Sequence, residues 1–383
     1  MREEQIVAFK LNLLDLPHER FYVKIKEKYK NYILKNANRH FGSNSNIFRK
    51  MDISEASFYK WRKDSEYPLH VLIKLVKLLN LDPNEIQQHV IKIRSGVYPP
   101  RGQSCGYPGS YIAPKFPFEL SKELTRIIAH IFGDGCLSID KNNYIHMQYY
   151  NQNRILLDNF KKDISSLFDV DYIYESVNKT TPFVSLSSSI AIILNQIVNT
   201  FNSKVSVVPE IIKKAPEDIK IEFIKSFFDD EAYVKFNPPD RRIELTLSNK
   251  QFLLEMKNLL KGFGIETTKV YTKTQGGFKQ HTIYIRNYHN LKRYHQKINF
   301  NHKGKRKLLQ KMIYNTGRKS YSHGETERRI LDLLKKKPLT AKEISHILKR
   351  KQCTIDGFIN KLEKREKIKH IGIRNRSRIW DCV

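Results

Sequence analysis

Ile127-Ile-Ala-His-Ile-Phe-Gly-Asp134-Gly135 and Ile224-Lys-Ser-Phe-Phe-Asp-Asp-Glu231-Ala232 follow one pattern. Each is an apolar run at helical spacing that ends in a carboxylate beside a small residue. Their surroundings repeat at nearly the same offset. Phe201-Asn-Ser-Lys204 recurs as Phe300-Asn-His-Lys303, and the helical pattern around Leu156-Leu157 recurs around Leu253-Leu254. A duplication explains both, with Asp134 contributed by one half and Glu231 by the other. Asp229, Asp230 and Glu231 are adjacent, and Glu231 is selected by the register of the repeat.

With these residues quoted, the chain resembles the LAGLIDADG (dodecapeptide) homing endonucleases in their single-chain, two-motif form, over about residues 119–314. The resemblance implies that the two motif helices pack side by side on a pseudo-twofold axis. It also implies that Asp134 and Glu231 help bind the divalent metals that cut DNA, Mg²⁺ or Mn²⁺. The elementary chemistry agrees. Ala129 and Gly133 give the first helix a small i, i+4 face, and a carboxylate at a helix C-terminus meets the negative end of the dipole unless a cation is present. Two such acids can hold Mg²⁺ through oxygen, leaving positions for water and phosphate. Two departures from the motif stand out: Ala232 where the family has Gly, and Asp230 at a position usually small.

Lys plus Arg number 69 against 39 Asp plus Glu, a net charge of +30, so a polyanion is the expected partner. The basic residues are interleaved with 20 Tyr and 21 Phe along the whole length, which indicates folded basic surfaces. Cys105, Cys136, Cys353 and Cys382 lack metal-ligand or disulfide spacing. The charged start, Met1-Arg-Glu-Glu-Gln, is unlike a signal peptide, and the most apolar helix, Leu69 to Leu81, is interrupted by Lys74 and Lys77. A cytoplasmic protein, nucleoid-associated when on double-stranded DNA and not bound to membrane, is expected. The length accommodates two or three domains, each with its own core.

Residues 1–95 read as an all-α unit, with helices through Phe21 to Leu34 and from Val71 to Leu81. Between them a short helix (Ile47 to Met51), a turn at Asp52-Ile53 and an N-cap at Ser54 precede a helix from Glu55 to Lys63. This pattern, with Phe58 and Trp61 inward and Pro68 opening a further helix, is similar to a phage-repressor helix-turn-helix. The resemblance places Ser57, Tyr59, Lys60 and Arg62 toward the major groove. Residues 96–118 carry Pro99, Pro100, Pro108, Pro114 and Pro117 and read as a linker, either a plain spacer or a segment lying along DNA or across the next domain.

Residues 119–318 read as two αββαββα halves, 119–208 and 209–318, giving an α+β core with pseudo-twofold symmetry. Strands are expected at Cys136 to Asp140 and Tyr144 to Tyr150, joined by Lys141-Asn142-Asn143, and again near Tyr172 to Val177 and Phe183 to Ser187. The second half places strands at Tyr233 to Phe236, Ile243 to Leu247, Lys269 to Thr272 and His281 to Arg286. In the family such strands form a saddle over the major groove. Gln148, Tyr150, Arg241, Arg242, Glu244, Thr246, Lys273, Lys279 and Arg286 are the outward set expected to meet bases and phosphates. Lys204 and Lys303 occupy matching places in the repeat; the resemblance gives such lysines a role in stabilising charge on phosphate, and a plain surface role is the alternative. Lys305, Arg306 and Lys307 are assigned to the DNA backbone.

Residues 319–383 read as three helices and a hairpin. Thr340-Ala-Lys-Glu343 is a capping box, Thr354 to Arg365 is the third helix, and Ile368 to Ile373 pairs with Arg378 to Trp380. The order looks like a winged helix, with Thr354 on the groove-facing helix and Arg374, Arg376 and Arg378 on the wing. The function expected is a site-specific, metal-dependent DNA endonuclease acting as a monomer. The alternatives are a transcription regulator that keeps the fold only for binding and, more weakly, an RNA maturase. The ends Met1 and Trp380-Asp-Cys-Val383 lack the His-Asn of a splicing element, which disfavours an intein.

Overall fold

The computed structural model describes residues 9–96, 111–139, 145–170, 172–237, 240–314, 324–374 and 377–383. Cys105, Pro99, Pro100, Pro108, the turn Lys141-Asn142-Asn143 and Arg376 lie outside them. The amino-terminal part contains β1 (Lys10–Leu11), β2 (Phe21–Ile25), α1 (Glu27–Phe41), α2 (Asn44–Met51), α3 (Glu55–Asp64), β3 (Glu66–Pro68), α4 (Leu69–Leu78), α5 (Ile86–His89), β4 (Val90–Ser95) and β5 (Phe118–Glu119). It is therefore not all-α. Strands β3, β2 and β4 form a three-stranded sheet, and the helix expected from Phe21 begins only at Glu27. The apolar positions 21, 25, 29 and 33 satisfy a helical period, but Phe21, Val23 and Ile25 also alternate, and they are buried as a strand. Pairing with β3 and β4, far away in the sequence, decides between the two periods.

Helices α2 and α3 form where the sequence places two short helices joined by a turn. Ser54 Oγ accepts from Ser57 N at 3.1 Å, Asp52 takes the left-handed conformation (φ 56°), and Phe58 and Trp61 are buried.

The duplicated part follows as α6 (Lys122–Phe132), β6 (Gly135–Ile139), β7 (Ile145–Tyr150), α7 (Arg154–Phe168), β8 (Tyr174–Asn178), β9 (Thr181–Leu186) and α8 (Ser188–Val198). After the short α9 (Glu210–Lys213), the same order recurs: α10 (Glu217–Glu231), β10 (Ala232–Asn237), β11 (Asp240–Leu247), α11 (Lys250–Gly262), β12 (Tyr271–Gln275), β13 (Phe278–Ile285) and α12 (Tyr288–Lys297), followed by α13 (Lys303–Tyr314). The antiparallel sheets have matching orders, β6-β7-β9-β8 and β10-β11-β13-β12. The α+β, twice-repeated core is as the sequence predicts.

The amino-terminal part and the duplicated core do not have separate cores. One continuous buried cluster runs through both. Ser95 N donates to the buried Ser189 Oγ at 2.7 Å, Ile112 pairs with Ile93, Ala113 N donates to Phe168 O, and the Phe118 and Phe168 rings lie 5.4 Å apart. The described end of the proline-rich segment is thus packed against the first half, because burying Ile112 and Phe118 removes two large apolar side chains from water.

The carboxy-terminal unit comprises α14 (Glu325–Leu334), β14 (Leu339–Thr340), α15 (Ala341–Ile347), α16 (Gln352–Lys364), β15 (Ile368–Arg374) and β16 (Ser377–Cys382), with sheet order β14-β16-β15. It has its own core around Ile344, Ile355, Ile359 and Trp380. Its capping box forms: Glu343 N donates to Thr340 Oγ1 and Thr340 N to Glu343 Oε2. Among the described residues no helix is long and apolar enough to cross a membrane.

Candidate active site

Helices α6 and α10 meet so closely at their C-terminal ends that a Cβ on Gly133 would lie 2.8 Å from both Cβ and Oδ2 of Asp230. The turn that follows is as tight, since a Cβ on Gly135 would fall 2.3 Å from Ile131 O. Both glycines are therefore required by close approach.

The three consecutive acids of α10 point to three different places. Asp229 is buried and accepts from the backbone of Asn301 and His302 (3.0 and 2.9 Å), which ties α10 to the start of α13; burial lifts its carboxyl to about 6. Asp230 enters the seam between the motif helices, where its side chain is fully buried. There it pairs with His130 Nδ1 (2.8 Å) and accepts from Tyr149 OH (2.9 Å) and Asn151 Nδ2 (3.1 Å). Burial pulls the His130 imidazole down, but the Asp230 charge outweighs this and raises it.

Glu231 remains beside Asp134, one acid from each half. Burial and then the charges of Asp134 and Asp230 push Glu231 up to about 7. Asp134 reaches solvent on one side yet is hemmed by protein on the others; lost hydration and the Asp230 charge lift it to about 6. Asn151 Nδ2 also donates to Asp134 Oδ2 at 3.0 Å, so this single amide bridges the acid of the first half to the buried Asp230. A cleft of about 170 Å³ lined by Gly133, Glu231, Thr246 and Asn249 opens beside Glu231. Like charges crowded at the negative ends of two helices call for a cation.

The cation that the fold itself supplies is Lys305, on α13. Its Nζ donates to the carbonyls of Phe228, Asp229 and Asp230 (3.2, 2.6 and 3.3 Å), capping α10, and its charge lowers both Asp134 and Glu231. Burial in turn lowers the Lys305 ammonium. Lys204 and Lys303 are exposed and are not among the charges acting on the two acids. The structure thus brings to the acids a lysine assigned from sequence to the DNA backbone, and not the two chosen by the repeat. Arg306 donates to Phe300 O, and Lys307 is exposed.

Asp134 and Glu231 present carboxylate oxygens suited to a hard divalent cation. Among the described residues no three His, Cys, Asp or Glu side chains are grouped to hold a metal ion on their own, so further ligands would be water or phosphate.

On the second sheet the register places Arg242 opposite Lys235, Glu244 opposite Tyr284, and Thr246 opposite Thr282, all on the outward face. Arg242 lies over the Tyr284 ring and is ion-paired with Asp240 and Glu244; Arg286 approaches the same ring. Lys273, opposite Gln280, is also outward and exposed. Arg241 and Lys279 have the opposite parity, opposite Phe236 and Thr274, so they belong to the other face of their strands. Gln148 and Tyr150 are outward on β7 and bond to each other.

Tyr59, Lys60 and Arg62 are exposed on α3, whereas Ser57 is engaged with the Ser54 cap. Thr354 is half-buried on α16, Arg378 is exposed, and Arg374 contacts Glu343. His130, Tyr149 and Asn151 carried no sequence signal, since their contacts with Asp230 join residues far apart in the chain.

Residues 218–299 match the family described as a LAGLIDADG-like domain. The chain is 29% identical over 240 residues to the probable translation initiation factor IF-2 of Methanocaldococcus jannaschii, covering 60% of this chain and 19% of that protein. It is 24% identical over 226 residues to DNA-directed RNA polymerase subunit Rpo1N of the same organism, covering 50% and 17%. The chain therefore spans less than a fifth of these curated relatives. Among solved structures it is similar to the homing endonuclease I-DmoI in complex with DNA and Mn, with 17% identity, 47% of this chain and 97% of that one covered, and a TM-score of 0.36.

Proposed function

We propose, from the premise that this chain belongs to the LAGLIDADG family, that it is a site-specific, divalent-metal-dependent endonuclease of double-stranded DNA acting as a pseudo-twofold monomer. The observation that carries this reading is the pair Asp134 and Glu231, one from each half, held at the joined ends of α6 and α10 with their carboxyls raised to about 6 and 7. A protein that only binds DNA gains nothing from carboxylates aimed at phosphates. The two acids would hold Mg²⁺ or Mn²⁺, which when bound supplies an activated water and countercharge for the leaving oxygen.

The chain's own residues do the rest. Asn151 fixes the oxygen that Asp134 presents, Asp230 anchors Asn151 in the seam, and Lys305 holds the end of α10 while offsetting the acids' charge. The outward sheet faces, and the α3 and α16 helices of the flanking units, would lengthen the DNA site. Neither translation initiation nor RNA synthesis is carried over. The two matched segments overlap on this chain, occur in relatives with unlike names, and form less than a fifth of each.

The flanking units favour a second reading, a DNA-binding regulator that no longer cuts. Duplexes selected by binding in Ca²⁺ and then given Mg²⁺ or Mn²⁺ separate the two. Cuts at defined positions, lost in the Asp134→Asn, Glu231→Gln double variant while binding persists, are expected. Tight specific binding without cuts under either metal would leave the regulator.

A further inference from the structure

The two sheets have the same topology, but their outward faces differ in charge. On the second, Lys235, Arg242, Lys273 and Arg286 stand with Asp240 and Glu244 among the rings of Tyr233, Tyr271, Phe278 and Tyr284, so the face is ionic as well as aromatic. On the first, the cross-strand row Cys136, Gln148, Ser185, Tyr174 is followed by the row Tyr150, Phe183, Ser176. Ser138 and His146 complete one edge, and Thr181 and Asn178 the other. Among the described strand residues none of these outward positions is Asp, Glu, Lys or Arg, in a chain of net charge +30. The one charged residue of these strands, Glu175, has the opposite parity and is paired with Lys161 and Arg154.

The first face presents its rings with no Asp, Glu, Lys or Arg among them. Phe183 lies 5.1 Å from Tyr150 and 6.2 Å from Tyr174, and Tyr174 is 51% exposed. Beside them Gln148 Oε1 accepts from Tyr150 OH at 2.7 Å, which leaves the Gln148 amide nitrogen to donate. Apolar ring edges on a pleated face suit the C5 methyl of thymine, the one apolar group in the major groove, and a carboxamide suits adenine.

We propose that the first-half sheet reads an A·T-rich half-site through thymine methyls and uncharged base contacts, while the second-half sheet holds its half-site largely through charge. The target is then chemically asymmetric although the protein is duplicated. This rests on the duplex-binding reading above, with the first face continuous with the proposed DNA saddle.

The test uses the full chain and duplexes recovered by selection, with thymine replaced by uracil in one half-site at a time. Uracil in one half-site should weaken binding about three- to fourfold per methyl lost. Phe183→Ala should abolish that penalty, and Tyr174→Ala, at an exposed ring, provides a second variant if the first folds poorly. Uracil in the other half-site should weaken binding less per methyl, and there Lys273→Ala should reduce the salt dependence of binding by about one ion. Indifference to uracil in both half-sites, or a penalty that persists in both ring variants, would overturn the assignment. So would displacement of the duplex by single-stranded DNA that depends on these rings, which would mark them as base-stacking platforms. Binding of no duplex at all would overturn this inference together with the reading on which it rests.

Discussion

Asp230 occupies the tightest point of the helix seam, where a small residue would pack with less demand. It is accommodated because His130, Tyr149 and Asn151 satisfy its oxygens in a space closed to water. The same network gives the two acids unequal support, since Asn151 bonds to Asp134. Asn151→Ala should therefore reduce cutting about 10- to 100-fold, the scale for residues that orient ligands, with DNA binding retained. Single-turnover cleavage of end-labelled duplex measures this, and unchanged rates on both strands would refute it. Raised carboxyl pKa values also have a thermodynamic consequence. Between about pH 4 and 7 the folded protein holds protons on Asp134 and Glu231 that the unfolded chain has released, so these groups lose stability as pH rises through that window. In metal-free buffer at pH 8, Asp134→Asn with Glu231→Gln should melt at a higher temperature than the unaltered chain. Mg²⁺ should narrow the gap; a lower melting point for the variant would show that the acids are not mutually destabilising.

At the scale of elements, the α6–α10 seam depends on one missing side chain. Gly133→Ala forces a methyl into the buried Asp230 and should cost about 1–3 kcal/mol. Gly262→Ala, at the end of α11 where a Cβ meets nothing within 4 Å, should instead stabilise by about 0.4–1 kcal/mol. Denaturant midpoints compare the two, and equal midpoints would contradict the packing described for the seam. Element geometry also explains why some residues lie elsewhere than the sequence pattern suggests. Lys303 and Lys305 are two residues apart on α13, hence roughly 200° apart around the helix, so only one can face the acids. The Phe-Asn-x-Lys repeat pointed to Lys303, whereas the orientation of α13 selects Lys305. Arg241 and Arg242 are adjacent on a strand and necessarily face opposite ways, which their register confirms.

For the whole molecule, the two cores found among the described residues imply two cooperative units. The amino-terminal part and the duplicated core share one buried cluster, whereas Ile330 to Trp380 enclose another. Calorimetry should resolve a smaller transition for the carboxy-terminal unit and a larger one for the rest. Trp61→Ala, at the edge of the shared cluster, should shift the larger transition by about 3–5 kcal/mol and leave the smaller in place. Independent melting of the amino-terminal part would contradict a shared core.

The order of elements in both halves, the motif helices, the placement of Asp134 and Glu231 at their ends, the Ser54 cap and the Thr340 capping box all follow from the sequence alone. Each depends on periodicity, caps or an internal repeat, which are local properties or matches of the chain to itself. Whether Phe21 to Ile25 became strand or helix, which lysine met the acids, and how His130, Tyr149 and Asn151 enclosed Asp230 were decided only by the tertiary structure. In each case the deciding partner lies tens of residues away, and no local pattern encodes a contact whose other half is supplied by folding.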